Sequence, residues 1–394
     1  MRRPSRDTAL AWLYVSLLSL GLGAGLLTAV PSPQDDQAYY QQFTEALAQG
    51  RLDLSIPGFH GSDFLAVPWY LLTGSSIAQI YSLIFLCLLL PPAGFLAGKA
   101  LYGSDWHGVM LASIVALMPF ISFVCLRGWT GPGYWFLMLM TVYAAAKQSR
   151  WTGPLWGLSI LTKPFAVALL PLLVYLAPKG KPAQRYAAIG FGLAIVAGYL
   201  LIQIAQTGHI LVGAHTEVTQ TSVWQGPARI LLNLAHSLQI LFSVHNYYFP
   251  DPALTGPGNM LHTTPLLIFL GLFGLLAPNR YFTNKQLPRA LLLGALIGLG
   301  MNALLDHMDH FYMEAAVLIF ILASLPILRA HRLWIPLVLA TLHFQWFYFY
   351  LQYRPGFQLT SYFFLTPLII DACFLVWCVG NRRDVWNLLK FSDE

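Results

Sequence analysis

Positions 8–30 read TALAWLYVSLLSLGLGAGLLTAV, with Arg2, Arg3 and Arg6 before them and Asp35-Asp36-Gln37-Ala38-Tyr39-Tyr40 shortly after. The uncharged run exceeds the ~20 residues that cross a hydrocarbon core as a helix. Its flanks give it a direction. Basic residues stay on the cytoplasmic side of a membrane, so the N-terminus is expected inside and the acidic pair outside. No small-residue cleavage site follows the run, so it reads as an anchor rather than a removed leader.

The rest of the chain extends this reading. Of 394 residues, 57% are hydrophobic, 14% aromatic and only 10% charged. That is too apolar for one water-soluble core, and no long polar block marks a separate soluble domain. The expected class is an all-α polytopic membrane protein whose partner is the lipid bilayer. Its setting is a bacterial inner or plasma membrane. The four cysteines, Cys87, Cys125, Cys373 and Cys378, all fall in apolar stretches. They read as small core residues, not a disulfide or metal framework. The net charge of +6 is spread as clusters between apolar stretches. It sets topology and does not indicate a nucleic-acid partner.

Sorting those clusters to one side predicts ten full crossings. After roughly 8–30 come roughly 75–98, 107–125, 133–147, 185–206, 263–278, 289–305, 313–328, 333–350 and 361–380. One segment does not fit a single crossing. It starts at Trp151 beside Lys147 and Arg150, and ends at Lys179, Lys181 and Arg185. Two short helices joined at Thr162-Lys163-Pro164 keep both clusters on one side, with Pro164 opening the second arm. Such a break at membrane depth is tolerated where the backbone lines a cavity. The apolar stretch 226–244 would invert everything downstream if it crossed, so it is expected to lie flat as an interfacial helix on the outer surface. Two modules follow: residues 1–185, with a first outer loop at 31–74, and residues 186–394, with an outer loop at 207–262.

Polar chemistry gathers on the outer face. Asp35 and Asp36 are adjacent carboxylates at the membrane surface, costly unless solvated, paired or used. Lys163 is the only lysine inside an apolar stretch, and three roles are open to it: contact with a phosphate, a snorkelling side chain, or pairing with an acidic residue. Arg127 and Arg354 stand at outer helix ends. Asp306-His307-Met308-Asp309-His310 places ligand-type residues four apart, but shows no third and fourth ligand at a diagnostic spacing. No metal site is assigned.

The order of these features resembles the GT-C superfamily of glycosyltransferases, which use polyprenyl-phosphate sugars. Protein O-mannosyltransferases and lipid A aminoarabinose transferases are members. The resemblance rests on Asp35-Asp36-x-x-Tyr39-Tyr40, Leu47-x-x-Gly50, Pro57-Gly58-Phe59-His60, the tip Leu161-Thr162-Lys163-Pro164-Phe165, and His310-Phe311-Tyr312. Unlike many relatives, the turn Arg127-Gly128-Trp129-Thr130-Gly131-Pro132 carries no acidic residue, and histidines stand where relatives have a late arginine. The resemblance implies catalysis by Asp35 and Asp36. It implies substrate contacts from Lys163, Arg127, Arg354, His310, Tyr312, Tyr39, Asp63 and His60. The implied partners are a polyprenyl-phosphate sugar donor and a hydroxyl acceptor on a glycolipid, polysaccharide or protein.

The chemistry needs few parts. A polyprenyl phosphate is already a good leaving group, so one carboxylate near the acceptor hydroxyl suffices as general base. Cations steady the phosphate as it departs. Asp35 fits the base. Asp36 has three readings: orienting the acceptor, holding a divalent cation, or capping the helix that begins there. A transporter or flippase of lipid-linked sugars is the alternative class. It would favour internal repeats and midplane polar residues in both halves. A membrane acyltransferase would need a histidine deep in the bundle.

Overall fold

The computed structural model describes residues 6–31, 36–75, 77–177, 182–210, 226–242, 265–304, 313–331 and 334–360, with residues 365, 367, 368 and 371. Among these the chain forms helices and no strand. The first half holds α1 (Arg6–Thr28), α2 (Gln37–Ala48), α3 (Val67–Thr73), α4 (Ala78–Tyr102), α5 (Asp105–Ala116), α6 (Pro119–Leu126), α7 (Gly131–Ala146), α8 (Thr152–Thr162), α9 (Leu170–Leu176) and α10 (Pro182–Thr207). The second holds α11 (Pro227–Phe242), α12 (Pro265–Leu276), α13 (Pro278–Tyr281), α14 (Gln286–Ala303), α15 (Glu314–Ala330) and α16 (Trp334–Phe357).

Three helices are long and apolar enough to cross a membrane: α1, α4 and the Tyr186–Thr207 part of α10. A fourth is reached if α5 and α6, bent by 47°, count as one span. The expected ten full crossings are therefore not what the described helices supply. The reason is local. Proline opens α6 and α12, and α7, α12 and α15 have only 16, 12 and 17 residues, short of the ~20 that a full crossing needs. At 1.5 Å per residue the 12 residues of α12 reach only ~18 Å.

The short hairpin appears where the sequence placed it. Lys163 is extended (φ −151°, ψ 123°) and ends α8, and Pro164 opens a 3₁₀ stretch to Leu169 that leads into α9. Trp156 Nε1 donates to Ala166 O across the break at 3.0 Å. The return of the chain is fixed by α10, which packs against α8 running in the same direction. Gly153 meets Ala188, and Gly157 meets Gly192, where an added Cβ would sit 2.9 Å from Gly192 O. Two parallel neighbours require the segment between them to come back. Close backbone approach through glycines four apart is a membrane-helix mode of association.

Burial is arranged for an apolar solvent. Leu20 and Leu27 on α1, Leu201 on α10 and Leu231 on α11 are 66–68% exposed. Inside α11, by contrast, the buried stripe is Asn233, Ser237 and Leu241. Asn233 donates to Ala303 O at 3.1 Å, and Asn302 donates to Ser237 Oγ at 2.9 Å. Polar groups satisfied inside and leucines outside is the pattern that lipid demands.

Candidate functional site at one end of the bundle

The loop between α1 and α4 is built onto helix ends. Phe43 of α2 is fully buried, and the His60 ring stacks on it at 4.0 Å between centroids. His60 Nδ1 lies 2.8 Å from Asp63 Oδ2, while its Nε2 donates to Ile56 O at 3.0 Å. A carbonyl only accepts, so Nε2 carries a proton, and a second proton lies between Nδ1 and the carboxylate. His60 and Asp63 are 0% and 1% exposed, and their pairing fixes the loop from within.

Five contacts then draw separate segments together. Gly61 N donates to Leu161 O at 2.9 Å. A Cβ on Gly61 would lie 2.5 Å from Thr162 N and closer still to Leu158 O. Ser62 packs against Gly133 at the start of α7, and Gln37 packs against Gly128 in the turn after α6. From the far side, Gln206 at the end of α10 donates to Leu52 O and accepts from Leu54 N, each at 2.8 Å. At the start of α4, Gln79 N donates to Gln41 Oε1 at 3.2 Å. The first loop, the Arg127 turn and the Lys163 tip thus share one end of the bundle.

Gly61 is where this convergence is most fragile, because backbone fills the space a methyl group would need. Gly61→Ala should lift the loop off the hairpin tip, at a cost of ~1–3 kcal/mol for overpacking. Site-directed labelling of position 59 in detergent should rise in parallel. Unchanged stability and labelling in Gly61→Ala would show that the loop contact is dispensable.

Lys163 has a partner that the sequence did not single out. Its Nζ lies 2.5 Å from Glu314 Oε1, with the two side chains 14% and 2% exposed. The same ammonium stands over the Tyr134 ring, 5.5 Å from its centroid. Tyr134 belongs to the first turn of α7, next to Gly133 and Ser62. Arg127 stands over Phe123 at 5.4 Å. One carboxylate and two aromatic faces therefore hold two cations in a preformed arrangement. The sign available for Glu314 was its position as a lone carboxylate opening an apolar run that needed a counter-charge.

The remaining candidates are distributed as follows. Asp36 is the residue before α2, but its side chain makes no capping hydrogen bond, which removes the capping role. Tyr39 is 39% exposed on α2. Arg354 falls in α16, with its side chain outside the described residues. Asp35, His310 and Tyr312 also lie outside them. Among the described residues, no group of three His, Cys, Asp or Glu could hold a metal ion.

Burial pushes the Asp63 carboxyl above the usual carboxylate range, against the opposing pull of His60. For an acid raised on folding, the stabilising contribution is full below its unfolded value and is lost as pH rises through its folded value. The 53–66 loop should therefore become easier to cleave with protease as pH rises above the ordinary carboxylate range. Asp63→Asn should flatten that dependence. A wild-type profile rising in the other direction would refute the assignment.

No family model matches this chain, and neither a curated protein nor a solved structure does.

Proposed function

We propose that this chain is an integral-membrane glycosyltransferase of the GT-C kind, moving a sugar from a polyprenyl phosphate to a hydroxyl acceptor on the extracytoplasmic face. The observation that carries the proposal is the meeting of loop 31–74, the Arg127 turn and the Lys163-Pro164 tip at one end of the bundle. These are the segments whose order in the sequence supports the resemblance.

The residues take complementary parts. Asp35 accepts the proton of the acceptor hydroxyl as that oxygen attacks the anomeric carbon. The bond from that carbon to the phosphate oxygen breaks, and the electron pair leaves with the polyprenyl phosphate. One displacement inverts the anomeric centre. Lys163, held in place by Glu314, brings a positive charge to the leaving phosphate. Arg127 supplies a second cation at the rim. Basic residues at the opposite helix ends, such as Lys99, Lys147 and Arg150, support placing that end in the cytoplasm.

One observation favours the transport alternative. Tyr14 donates to Asp371 at 2.9 Å, and His343 Nε2 lies 2.8 Å from the other oxygen of the same carboxylate. This cluster joins α1 to the chain beyond α16 within apolar helices, where ionisable groups mark ion or proton pathways. One experiment separates the readings. Purified protein in liposomes is given a polyprenyl-phosphate sugar and a soluble hydroxyl acceptor. Glycosylated acceptor with inverted configuration supports the transferase. Donor moved between leaflets with no product supports the transporter.

A further inference from the structure

At the end of the bundle away from the site, a cavity of about 760 Å³ opens between the ends of α7 and α9 and the starts of α8 and α10. Its wall is apolar, built by Leu173, Ala187, Ile189 and Phe191, and its rim carries Gln148 and Arg150. We infer that this cavity holds an anionic phospholipid of the adjoining leaflet, its phosphate on Arg150 and its acyl chain against α10.

Three features point to that occupant. The first is shape with polarity. The cavity is far larger than a single water needs, and its charged group, Arg150, stands at the rim while most of the wall is apolar. The second is exposure to lipid. On α10, Tyr186, Phe191 and Leu193 remain exposed, and Trp151 beside the rim is exposed as amphipathic rings are at a membrane interface. A soluble anion would gain nothing from such surroundings, whereas basic pockets between helices at a membrane surface suit phospholipid headgroups. The third is a backbone outlier. Gln148 has φ +53°, one of two non-glycine residues with positive φ among those described. It ends α7 in a wrapped turn, with Ser149 N donating to Ala144 O at 2.8 Å and Gln148 N to Ala145 O at 3.0 Å. Glycine is the usual residue there. A glutamine in that conformation, with its amide on the cavity rim, is strain kept where a ligand would use it. Lys147, on the same turn, adds a second exposed charge.

The test uses native mass spectrometry of the full chain in detergent, incubated with phosphatidylglycerol or with phosphatidylcholine. Wild type should retain phosphatidylglycerol about fivefold to tenfold better. Arg150→Gln changes an exposed residue, so the fold should be kept while that preference disappears. Ala187→Trp fills the cavity with Arg150 intact and should reduce retention of both lipids. Equal retention of the two lipids by wild type would overturn the proposal, as would an undiminished preference in Arg150→Gln. So would displacement of phosphatidylglycerol by an equal amount of polyprenyl phosphate, which would make the cavity a donor site instead.

Discussion

Asp35→Asn is expected to lower turnover by about 10²–10⁴-fold while donor binding is largely kept. Asparagine preserves the size of the side chain and much of its hydrogen bonding, but it cannot take up the acceptor's proton near neutral pH. General-base catalysis supplies a factor of that order. The loss should appear in kcat and kcat/KM together, because the interaction forms only as the hydroxyl attacks. Asp36→Asn should have a smaller or different effect, since the side chains of adjacent residues leave the backbone in different directions. Steady-state kinetics of both variants, with the anomeric configuration of the product, decide the matter. Turnover within about threefold of wild type in Asp35→Asn would remove the base assignment. A retained configuration would remove the single displacement.

The second large effect concerns the Lys163–Glu314 pair. Lys163→Met leaves a nearly buried carboxylate without its cation, and breaking such a pair costs ~3–5 kcal/mol. Glu314→Gln should destabilise for the mirror-image reason. The double variant Lys163→Met/Glu314→Leu removes both charges, and an apolar replacement of a buried pair is commonly neutral or stabilising. Thermal unfolding in detergent should therefore show two unstable single variants and a double variant near wild type. Donor binding should behave otherwise. If Lys163 holds the leaving phosphate, the double variant should be folded, monodisperse and weak in donor binding. Full donor affinity there would return the pair to a purely structural role and shift the phosphate to the arginines.

The Lys163 hairpin shows what a local signal can deliver. Basic residues on both sides of one apolar segment, with Lys-Pro in its middle, demanded a chain that turns back, and the parallel packing of α8 and α10 carries that return. The separate crossings were less legible. Hydropathy counts apolar residues without seeing where a helix breaks. The run at 107–125 therefore reads as one span, although the backbone bends by 47° between Ala116 and Pro119. His60 and Asp63 were visible as polar residues on the correct loop. Their burial was not, because it depends on Phe43 stacking from a helix earlier in the chain.

By itself the sequence determined that this chain is helical and that several of its helices are apolar enough to suit a membrane. Each follows from composition and from the order of charges along the chain, which no tertiary contact can alter. Only the tertiary structure decided that Lys163 faces Glu314 across 151 positions, that Gly61 seats the first loop on the hairpin tip, and that Asp63 is locked to His60. Those outcomes depend on which helix ends lie side by side. A buried charge takes whichever counter-charge packing brings within reach, and spacing along the chain does not encode that choice.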